Sequence, residues 1–324
     1  MLVRIATDVQ IDILDSTASF MTLTATGGLA DLAPYLNADP TIKLSDMPEL
    51  AWQNFSNAGR IYGIPTQIFP VAVVYNRSWF DEAGLAPLRQ MGEEWNWQTA
   101  KQYAARLTTD TNGDGKIDRY GLYFTRALNR VHAAVHQAGG DLYERYLQPT
   151  KALFNSPGAY TGLSFYVDLA VSGNATYEAG FADIYTQRAA AINLDGQPSN
   201  YNLYLIDSAD DFEVALQPLG PVRRGANMFF GPLHVVKSNR DVEPMWRWIK
   251  FLTFDTESQI KMMHATARLP VHLPTLARLE QYVAPYDSKQ AAWMLAFREV
   301  GIHPDNAPSY FTGADSKINT IFEC

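Results

Sequence analysis

The sequence contains one cysteine, Cys324, and it is the last residue. Disulfide bonds within the chain are therefore excluded, and so are cysteine-rich metal sites and a Cys/His catalytic pair. Serine hydrolase signatures are missing, and no glycine-rich phosphate loop follows a predicted strand. The histidines show no metal-ligand spacing; they are His132, His136, His234, His264, His272 and His303. These absences leave little support for the common catalytic and nucleotide-dependent classes.

Long apolar runs and basic clusters are also lacking. No apolar run approaches the roughly 20 residues that span a bilayer, and Met1 to Arg4 is not followed by a signal-type apolar stretch. The chain has 26 Lys and Arg against 34 Asp and Glu, which gives a net charge of -8. The basic residues are dispersed, so a nucleic-acid partner is excluded, while neutral and cationic solutes stay open.

Size and hydrophobic content are sufficient for two cores. The chain has 324 residues, of which 47% are hydrophobic, and single cores usually divide beyond about 250 to 300 residues. The apolar, β-branched run at 62–76 enters from a Gly/Pro turn and predicts a buried strand that crosses between two lobes. Residues 228–236 predict a second crossing strand. No flexible tether separates the lobes.

The remaining pattern alternates strands with amphipathic helices, which is typical of an α/β protein. Asn96 precedes a helix as a capping residue, and residues 27–36 predict a helix stop and loop. Trp246 and Trp248 lie two residues apart on one predicted helix, so at least one should be buried. Strands are predicted at 9–14, 120–124 and 189–194, helices at 20–26, 97–107, 154–170, 181–186, 244–254 and 257–264, and a turn at 195–198.

Several short motifs occur in a characteristic order. They are Tyr-Gly-Ile-Pro at 62–65, Gln-Ala-Gly-Gly-Asp at 137–141, Phe-Asn-Ser-Pro at 154–157, Gly-Leu-Ser-Phe-Tyr-Val-Asp-Leu at 162–169, Phe-Gly-Pro at 230–232 and Arg-Leu-Pro-Val at 268–271. Their order and spacing resemble those of extracellular solute-binding protein family 1, the maltose-binding-protein-like sugar-binding proteins of ABC importers. The resemblance covers essentially the whole chain.

The resemblance implies a two-lobed periplasmic-binding-protein-like fold of type II. Lobe 1 would comprise residues 1–70 and 232–285, and lobe 2 residues 71–231 and 286–324. The family has a strand, a helix and another strand ahead of the segment that begins near residue 9, so we expect the N-terminal part of lobe 1 to be truncated. It also implies a monomer outside the cytoplasm, in the periplasm or as a cell-surface lipoprotein, although the chain shows no signal segment.

Loops at strand ends are where α/β lobes usually contact ligands. Asp15, Ser16 and Thr17 correspond to the solute-facing loop of the family, and Tyr310 and Phe311 match a late aromatic position. The tryptophan that the family commonly has after the Asp-Gly turn at 195–196 is absent. The other predicted ligand-binding residues are Gln67, Phe69, Arg126, Asn129, Arg130, Gln197, Ser199, Tyr201, Phe229, Phe230, Arg268 and His272.

Residues 110–118 resemble a calcium-binding loop. Oxygen-bearing side chains stand at positions 1, 3, 5 and 9, and glycine stands at position 6. The predicted metal ligands are Asp110, Asn112, Asp114, Lys116 and Asp118. Position 12, which normally carries a bidentate carboxylate, is Gly121. A structural Ca²⁺ is therefore one expectation and a polar hairpin turn without metal is the other; no organic cofactor is expected.

We therefore expect a non-enzymatic binding protein that closes on an oligosaccharide or glycoside and docks on ABC permease subunits. Arg126 and Arg268 would also admit an acidic sugar. A carbohydrate-active enzyme, such as a glycosidase or lyase, is the alternative, but it needs two facing carboxylates about 5 to 9.5 Å apart. The adjacent pairs Glu93-Glu94 and Asp210-Asp211 do not provide that arrangement. A polyamine site would need more acids than Asp15, and an iron site would need paired tyrosines.

Overall fold

The computed structural model describes residues 11–15, 20–145, 149–237 and 241–308. Its strands form two five-stranded sheets and a small hairpin of β2 (Ser56–Asn57) with β3 (Arg60–Ile61). Helices surround both sheets. The mixture of helices and mixed-direction sheets confirms the α/β class predicted from the alternating pattern.

The first sheet has the order β1-β10-β4-β11. Its members are β1 (Ile13–Asp15), β10 (Asn227–Val235), β4 (Ile64–Pro70) and β11 (Leu269–Pro270), and β12 (Ala307–Pro308) pairs with β10. Neighbouring strands from β1 to β11 run antiparallel. The central strand β10 therefore holds together segments that are far apart in the sequence.

The second sheet has the order β7-β6-β8-β5-β9. It consists of β5 (Ala72–Asn76), β6 (Tyr120–Tyr123), β7 (Ala175–Thr176), β8 (Ala190–Gly196) and β9 (Phe212–Ala215). β6 runs parallel to both of its neighbours, whereas β5 is antiparallel to β8 and β9. The segments between β6 and β8 supply the helices that cover this sheet, as parallel pairs require.

Side-chain caps begin several of the longer helices. Asn76, Asn96, Ser156, Asp255 and Asp287 each accept a backbone N–H of the following turn, which satisfies a donor that the helix itself leaves unpaired. The helices are α1 (Phe20–Ala25), α2 (Ala33–Ala38), α3 (Glu49–Phe55), α4 (Arg77–Glu82), α5 (Trp97–Leu107), α6 (Leu128–Gln137), α7 (Pro157–Val171), α8 (Asp183–Thr186), α9 (Glu243–Phe254), α10 (Thr256–Thr266), α11 (Leu273–Leu276), α12 (Leu279–Tyr282) and α13 (Ser288–Gly301).

Two clusters of buried side chains form the core. One surrounds the first sheet, with Phe20, Phe55 and Met263, and continues onto one face of the second sheet through Val74 and Val214. The other covers the opposite face of the second sheet and includes Tyr75, Phe80, Trp95 and Phe165. The second sheet is thus apolar on both faces, which explains why its strands read as continuous hydrophobic runs.

The run at 62–76 is two strands and not one. β4 belongs to the first sheet and β5 to the second, and Val71 is the residue between them. Val71 donates its N–H to the carbonyl of Asn227 (3.0 Å), while its own carbonyl accepts from Gln217 Nε2 (3.1 Å). The chain therefore passes between the sheets at Val71, with both backbone groups of that residue satisfied.

The second crossing lies earlier than the sequence predicted. β10 does not change sheets, because it pairs with β4 from Met228 to Leu233. The passage from the second sheet to the first is instead the segment 216–226, between β9 and β10. Gln217 lies at its start and bonds the carbonyls of Val71 and Leu194, so the two crossings are tied together by one amide side chain.

Other local predictions have mixed outcomes. The helix after Asn96 is confirmed, and Trp246 is 3% exposed whereas Trp248 is 52% exposed. The loop predicted at 27–36 is wrong in its last part, because α2 begins at Ala33. Pro34 lies in the first turn of this helix, where a backbone N–H has no partner within the helix and proline is therefore tolerated. Residues 195 and 196 were predicted as a turn but end β8, with Gly196 opposite Ala72.

Candidate functional site

Two phenylalanines form the centre of the candidate site. Phe69 on β4 and Phe229 on β10 are directly opposite in the antiparallel register, and residues so paired project from the same face of a sheet. Gly231 lies two residues along on that face, and a Cβ there would stand 3.4 Å from Phe69 Cε2. Gly231 therefore lies at van der Waals distance from the Phe69 ring. Both rings are half-buried.

Arg268 covers the ring of Phe69, with its guanidinium carbon 4.5 Å from the ring centroid. The local backbone puts it there: α10 ends at Thr266, and Ala267 adopts a left-handed conformation with φ +51° before β11 begins. Gln67, which precedes Phe69 on the same face, donates to Thr266 Oγ1 at 2.6 Å. The backbone at the end of α10 and the Gln67 side chain of β4 therefore both position the Arg268 guanidinium.

Arg130 makes the matching contact with Phe229. Its guanidinium carbon lies 4.3 Å from the ring centroid, although Arg130 belongs to α6, which packs with the second sheet. Asn227 Nδ2 donates to the carbonyls of Asn129 (2.7 Å) and Arg130 (3.1 Å) and so holds the start of α6 against β10. The Arg130–Phe229 contact consequently joins the two halves of the molecule.

Asp195 neutralises Arg130. Its Oδ1 lies 2.8 Å from Arg130 Nη1, an ion-pair distance, but the two atoms are not aligned as a hydrogen bond. Thr125 donates its hydroxyl to the other oxygen, Oδ2. Burial raises the pKa of the Asp195 carboxyl, and Arg130 and Thr125 act in the opposite direction. A buried carboxylate at the end of β8 therefore holds the Arg130 side chain in place.

Arg126 makes a third stacking contact, on the side of the second sheet. Its guanidinium carbon lies 4.6 Å from the ring centroid of Tyr177, which in turn contacts Phe124. Unlike Arg130, Arg126 has no carboxylate within ion-pair distance among the described residues, and the same is true of Arg268. The site therefore carries a positive charge without a carboxylate partner beside each sheet, Arg268 at the first sheet and Arg126 at the second.

Asp15 lies apart from the phenylalanine pair. It is exposed at the end of β1 and stands opposite Leu233, four residues along β10 from Phe229. At about 3.3 Å per residue this corresponds to roughly 13 Å along the strand. Ser16 and Thr17, which follow Asp15, and Tyr310 and Phe311 lie outside the described residues.

The residues after β8 pack away from the phenylalanine pair. Gln197 and Ser199 are half-buried, and the Gln197 N–H bonds the side chain of Asn200 at 2.6 Å. Tyr201 is buried, donates to Asp287 at 3.2 Å, and has its ring 5.8 Å from that of Trp293. Burial, with a smaller contribution from Asp287, raises the pKa of Tyr201 to about 12. These contacts place Tyr201 beneath α13.

Phe230 and His272 belong to the core of the first sheet. Phe230 projects from the face opposite to Phe229, and its ring lies 6.3 Å from that of Phe55. His272 is 8% exposed and shares a hydrogen bond with Thr275 Oγ1 at 2.8 Å. Burial lowers its pKa. Strand alternation and burial therefore separate both residues from the face that carries Phe69 and Phe229.

The loop at 110–118 uses its carboxylates internally. Asp110 accepts the N–H groups of Gly113 (2.6 Å) and Gly115 (2.8 Å), and Asp118 accepts the N–H and hydroxyl of Thr111. Among the described residues, no group of three His, Cys, Asp or Glu side chains converges as a metal site. Ca²⁺ binding by Asp110, Asn112, Asp114, Lys116 and Asp118 stays a prediction.

Sequence reasoning missed Thr125, Tyr177 and Asp195. Asp195 stood in the predicted turn, and only its position inside β8 shows that it is buried. A cavity of about 510 Å³ lies between β9 and α13 and includes Tyr201 but none of the stacked arginines. A much smaller pocket beside the crossing is lined by Val71, Thr125, Arg130 and Asp195.

The comparisons with known proteins agree with this architecture. The sequence model of the family of bacterial extracellular solute-binding proteins matches residues 3–257, so the chain belongs to that family. No curated protein matches. Of the residues that the structure describes, none belong to a helix long and apolar enough to cross a membrane.

Several solved structures share the fold. An ABC substrate-binding protein from Listeria monocytogenes in complex with cycloalternan has a TM-score of 0.77 and 19% identity, over 99% of this chain and 81% of that chain. The sugar-binding protein MalE from Xanthomonas citri has a TM-score of 0.76 and 17% identity, over 99% and 80%. The cyclic alpha-maltosyl-1,6-maltose binding protein from Arthrobacter globiformis has 0.76 and 19%, over 99% and 81%. The two-lobed periplasmic-binding-protein-like fold is confirmed.

Proposed function

We propose that this protein is the extracytoplasmic solute-binding component of an ABC importer and that it binds a carbohydrate between its two lobes. The observation that carries the proposal is the pair of stacks Arg268–Phe69 and Arg130–Phe229, which stand side by side where the chain crosses between the sheets. Family membership and the sugar ligands named for the similar structures support it.

The stacks suit hydrogen-bonding solutes. A guanidinium that lies flat on an aromatic ring keeps its N–H groups directed outward in a fixed plane, and sugar hydroxyls accept such donors. The rings act as supports, because one face of each is covered by an arginine. Carbohydrate sites combine a few placed polar groups with apolar walls. Gln67 beside Phe69 on β4 and Arg126 on the side of the second sheet are further polar candidates, and Asp15 is a more distant one at the end of β1.

Binding would couple to a hinge motion. The boundary at residue 232 expected from the sequence lies inside β10, which belongs to the first sheet from Asn227 onward. We therefore assign residues 1–70 and 227–285 to lobe 1 and the remainder to lobe 2, with the crossings at Val71 and 216–226 as the hinge. A solute that contacts both lobes binds the closed form more tightly than the open one and therefore shifts the population toward closure. The closed monomer would dock on membrane permease subunits, in the periplasm or at the cell surface, and perform no chemistry itself.

A thermal-shift screen tests the proposal. Neutral and acidic oligosaccharides are added to the purified protein, and a true ligand at 100 times its dissociation constant adds about 2.7 kcal/mol to the free energy of unfolding. We expect Phe69→Ala and the milder Phe69→Leu to weaken binding, because the support of Arg268 is lost. Trp248→Ala, an exposed aromatic on α9, is the control. No stabilisation by any carbohydrate, or turnover of the sugar, would overturn the proposal.

A further inference from the structure

Charge compensation differs among the arginines near the candidate site. Arg130 is neutralised by the buried carboxylate of Asp195. Arg268 and Arg126 also lie over aromatic rings, yet neither has a carboxylate within ion-pair distance among the described residues. The positions of these two charges, and not the number of arginines, are the unusual feature.

The chain has ample acid with which to pair them. It carries 34 acidic against 26 basic residues, and several arginines elsewhere have carboxylate partners, although Arg119, over the ring of Trp79, has none within ion-pair distance among the described residues. These pairs are Arg77–Asp81, Arg89–Glu299, Arg188–Asp210, Arg247–Glu243 and Arg298–Glu280. Arg119 precedes β6 and Arg126 follows it, so the two lie at opposite ends of that strand. Arg126 and Arg268 differ from Arg119 in lying beside the candidate site, where an anion supplied from outside can compensate their charge.

The stacking geometry favours a planar or tetrahedral oxyanion. A guanidinium has five donors in a rigid fork that matches carboxylate or phosphate oxygens two at a time. Stacking on Phe69 removes water from one face of Arg268 and leaves the N–H edge accessible, which strengthens a charge-assisted hydrogen bond at that edge. The carbonyl or hydroxyl oxygen of a neutral sugar would leave the positive charge uncompensated.

On the basis of the function proposed above, we propose that the solute is an anionic sugar whose acidic group is bound by Arg268 from lobe 1, with Arg126 of lobe 2 as a second anion contact. Carboxylate and phosphate share the relevant chemistry. A solute that neutralises one guanidinium on each lobe also explains how charge could drive closure, because the open form leaves both charges exposed to solvent.

Isothermal titration with matched sugars tests this assignment. The probes are an oligosaccharide that ends in a hexuronate, the neutral oligosaccharide with the same linkage, and the corresponding sugar phosphate. We expect the acidic sugar to bind at least tenfold more tightly than the neutral one, with an affinity that falls as salt is raised. A preference for the hexuronate or for the phosphate distinguishes the two oxyanions.

Variants locate the charge that is responsible. Arg268→Gln should weaken binding of the acidic sugar by about 10- to 100-fold, the effect of a lost charge-assisted hydrogen bond, and change binding of the neutral sugar less than threefold. Arg268→Lys should be intermediate, because it keeps the charge without the fork. Arg247→Gln, on the exposed side of α9, is the matched control, and circular dichroism melting verifies that each variant is folded.

The outcomes separate the two proposals. If the neutral sugar binds as tightly as the acidic one, or if Arg268→Gln leaves the affinity for the acidic sugar unchanged, the anionic-sugar inference is overturned while sugar binding stands. If no carbohydrate of either kind binds the folded protein, the proposed function fails, and this inference fails with it.

Discussion

The guanidinium of Arg130 lies over the ring of Phe229, with 4.3 Å between the guanidinium carbon and the ring centroid. Arg130 is held from the second sheet by Asp195, and Phe229 is part of the first sheet. Few side-chain contacts of the site cross between the sheets in this way. When the lobes move relative to each other about Val71, Arg130 and Phe229 must therefore either move together or lose their contact.

Removal of the Asp195 charge should destabilise the protein strongly. In Asp195→Asn the buried side of Arg130 loses its only carboxylate among the described residues, and breaking a buried ion pair typically costs about 3 to 5 kcal/mol. We expect a value near the lower limit, about 3 kcal/mol, because Arg130 is partly exposed. Urea unfolding followed by circular dichroism measures it.

The control is the exposed pair Glu257–Lys261 on α10, whose side chains are 76% and 74% exposed. Glu257→Gln should leave the unfolding midpoint unchanged, since exposed ion pairs contribute little. Equal effects of Asp195→Asn and Glu257→Gln on that midpoint would show that the Arg130–Asp195 pair does not stabilise the fold.

Glycine at position 58 should stabilise the protein. Ala58 has φ +51° in the turn between β2 and β3 and is exposed, and the left-handed region costs a residue with a Cβ about 1 kcal/mol. Ala58→Gly removes this cost without the loss of a buried methyl group, partly offset by the greater freedom of glycine in the unfolded chain. We expect a net gain of about 0.5 kcal/mol, measured as a higher melting temperature.

A matched substitution in a regular helix should act in the opposite direction. Ala105 is exposed within α5, where glycine costs about 1 kcal/mol relative to alanine. Ala105→Gly should therefore lower the melting temperature. A decrease for Ala58→Gly as well would contradict the assigned left-handed conformation.

Acidification should destabilise the protein below about pH 6.5, the usual histidine pKa. Burial, followed by the charge of His132, lowers the pKa of His136 in the folded state, and burial lowers those of His272 and His303. Below pH 6.5 these histidines bind protons more readily in the unfolded chain than in the folded protein. The free energy of unfolding therefore falls as the pH decreases from 6.5. Melting temperatures at pH 7.5, 6.5 and 5.5 measure the slope.

His136→Gln should reduce that slope, because one of the low-pKa groups is removed while a donor to the carbonyl of Asp305 can be kept. His264→Gln, at a half-buried position for comparison, should leave the slope closer to that of the unchanged protein. A melting temperature that is constant from pH 7.5 to 5.5 would refute the buried, neutral state of these histidines.

The contribution of the loop at 110–118 to the melting temperature of the protein should not depend on calcium. Because the carboxylate of Asp110 accepts two backbone N–H groups, Asp110→Ala should lower the melting temperature by the same amount with chelator and with added Ca²⁺. An increase in melting temperature on Ca²⁺ addition that disappears in Asp110→Ala would instead establish the calcium site predicted from the loop spacing.

How far the sequence predicted the site depends on the range of each interaction. The cap at Asn96, the helix of Trp246 and the extended conformation of the crossing run depend on residues within a few positions of one another, and they were predicted. The split at Val71 was not predicted, because it is imposed by Asn227 and Gln217 from distant segments. Phe230 was grouped with Phe229 as a candidate, since strand alternation shows which faces differ but not which face is the site.

The amino-acid sequence by itself determined the α/β class, the family resemblance, the crossing run and the set of arginines and aromatics from which the site is built. Only the tertiary structure decided which of them meet. Phe69 lies opposite Phe229, Arg268 covers Phe69, and Asp195 neutralises Arg130 but neither Arg126 nor Arg268. These contacts join residues more than 60 positions apart, and at that separation the partners are selected by sheet register and burial, which local sequence patterns do not encode.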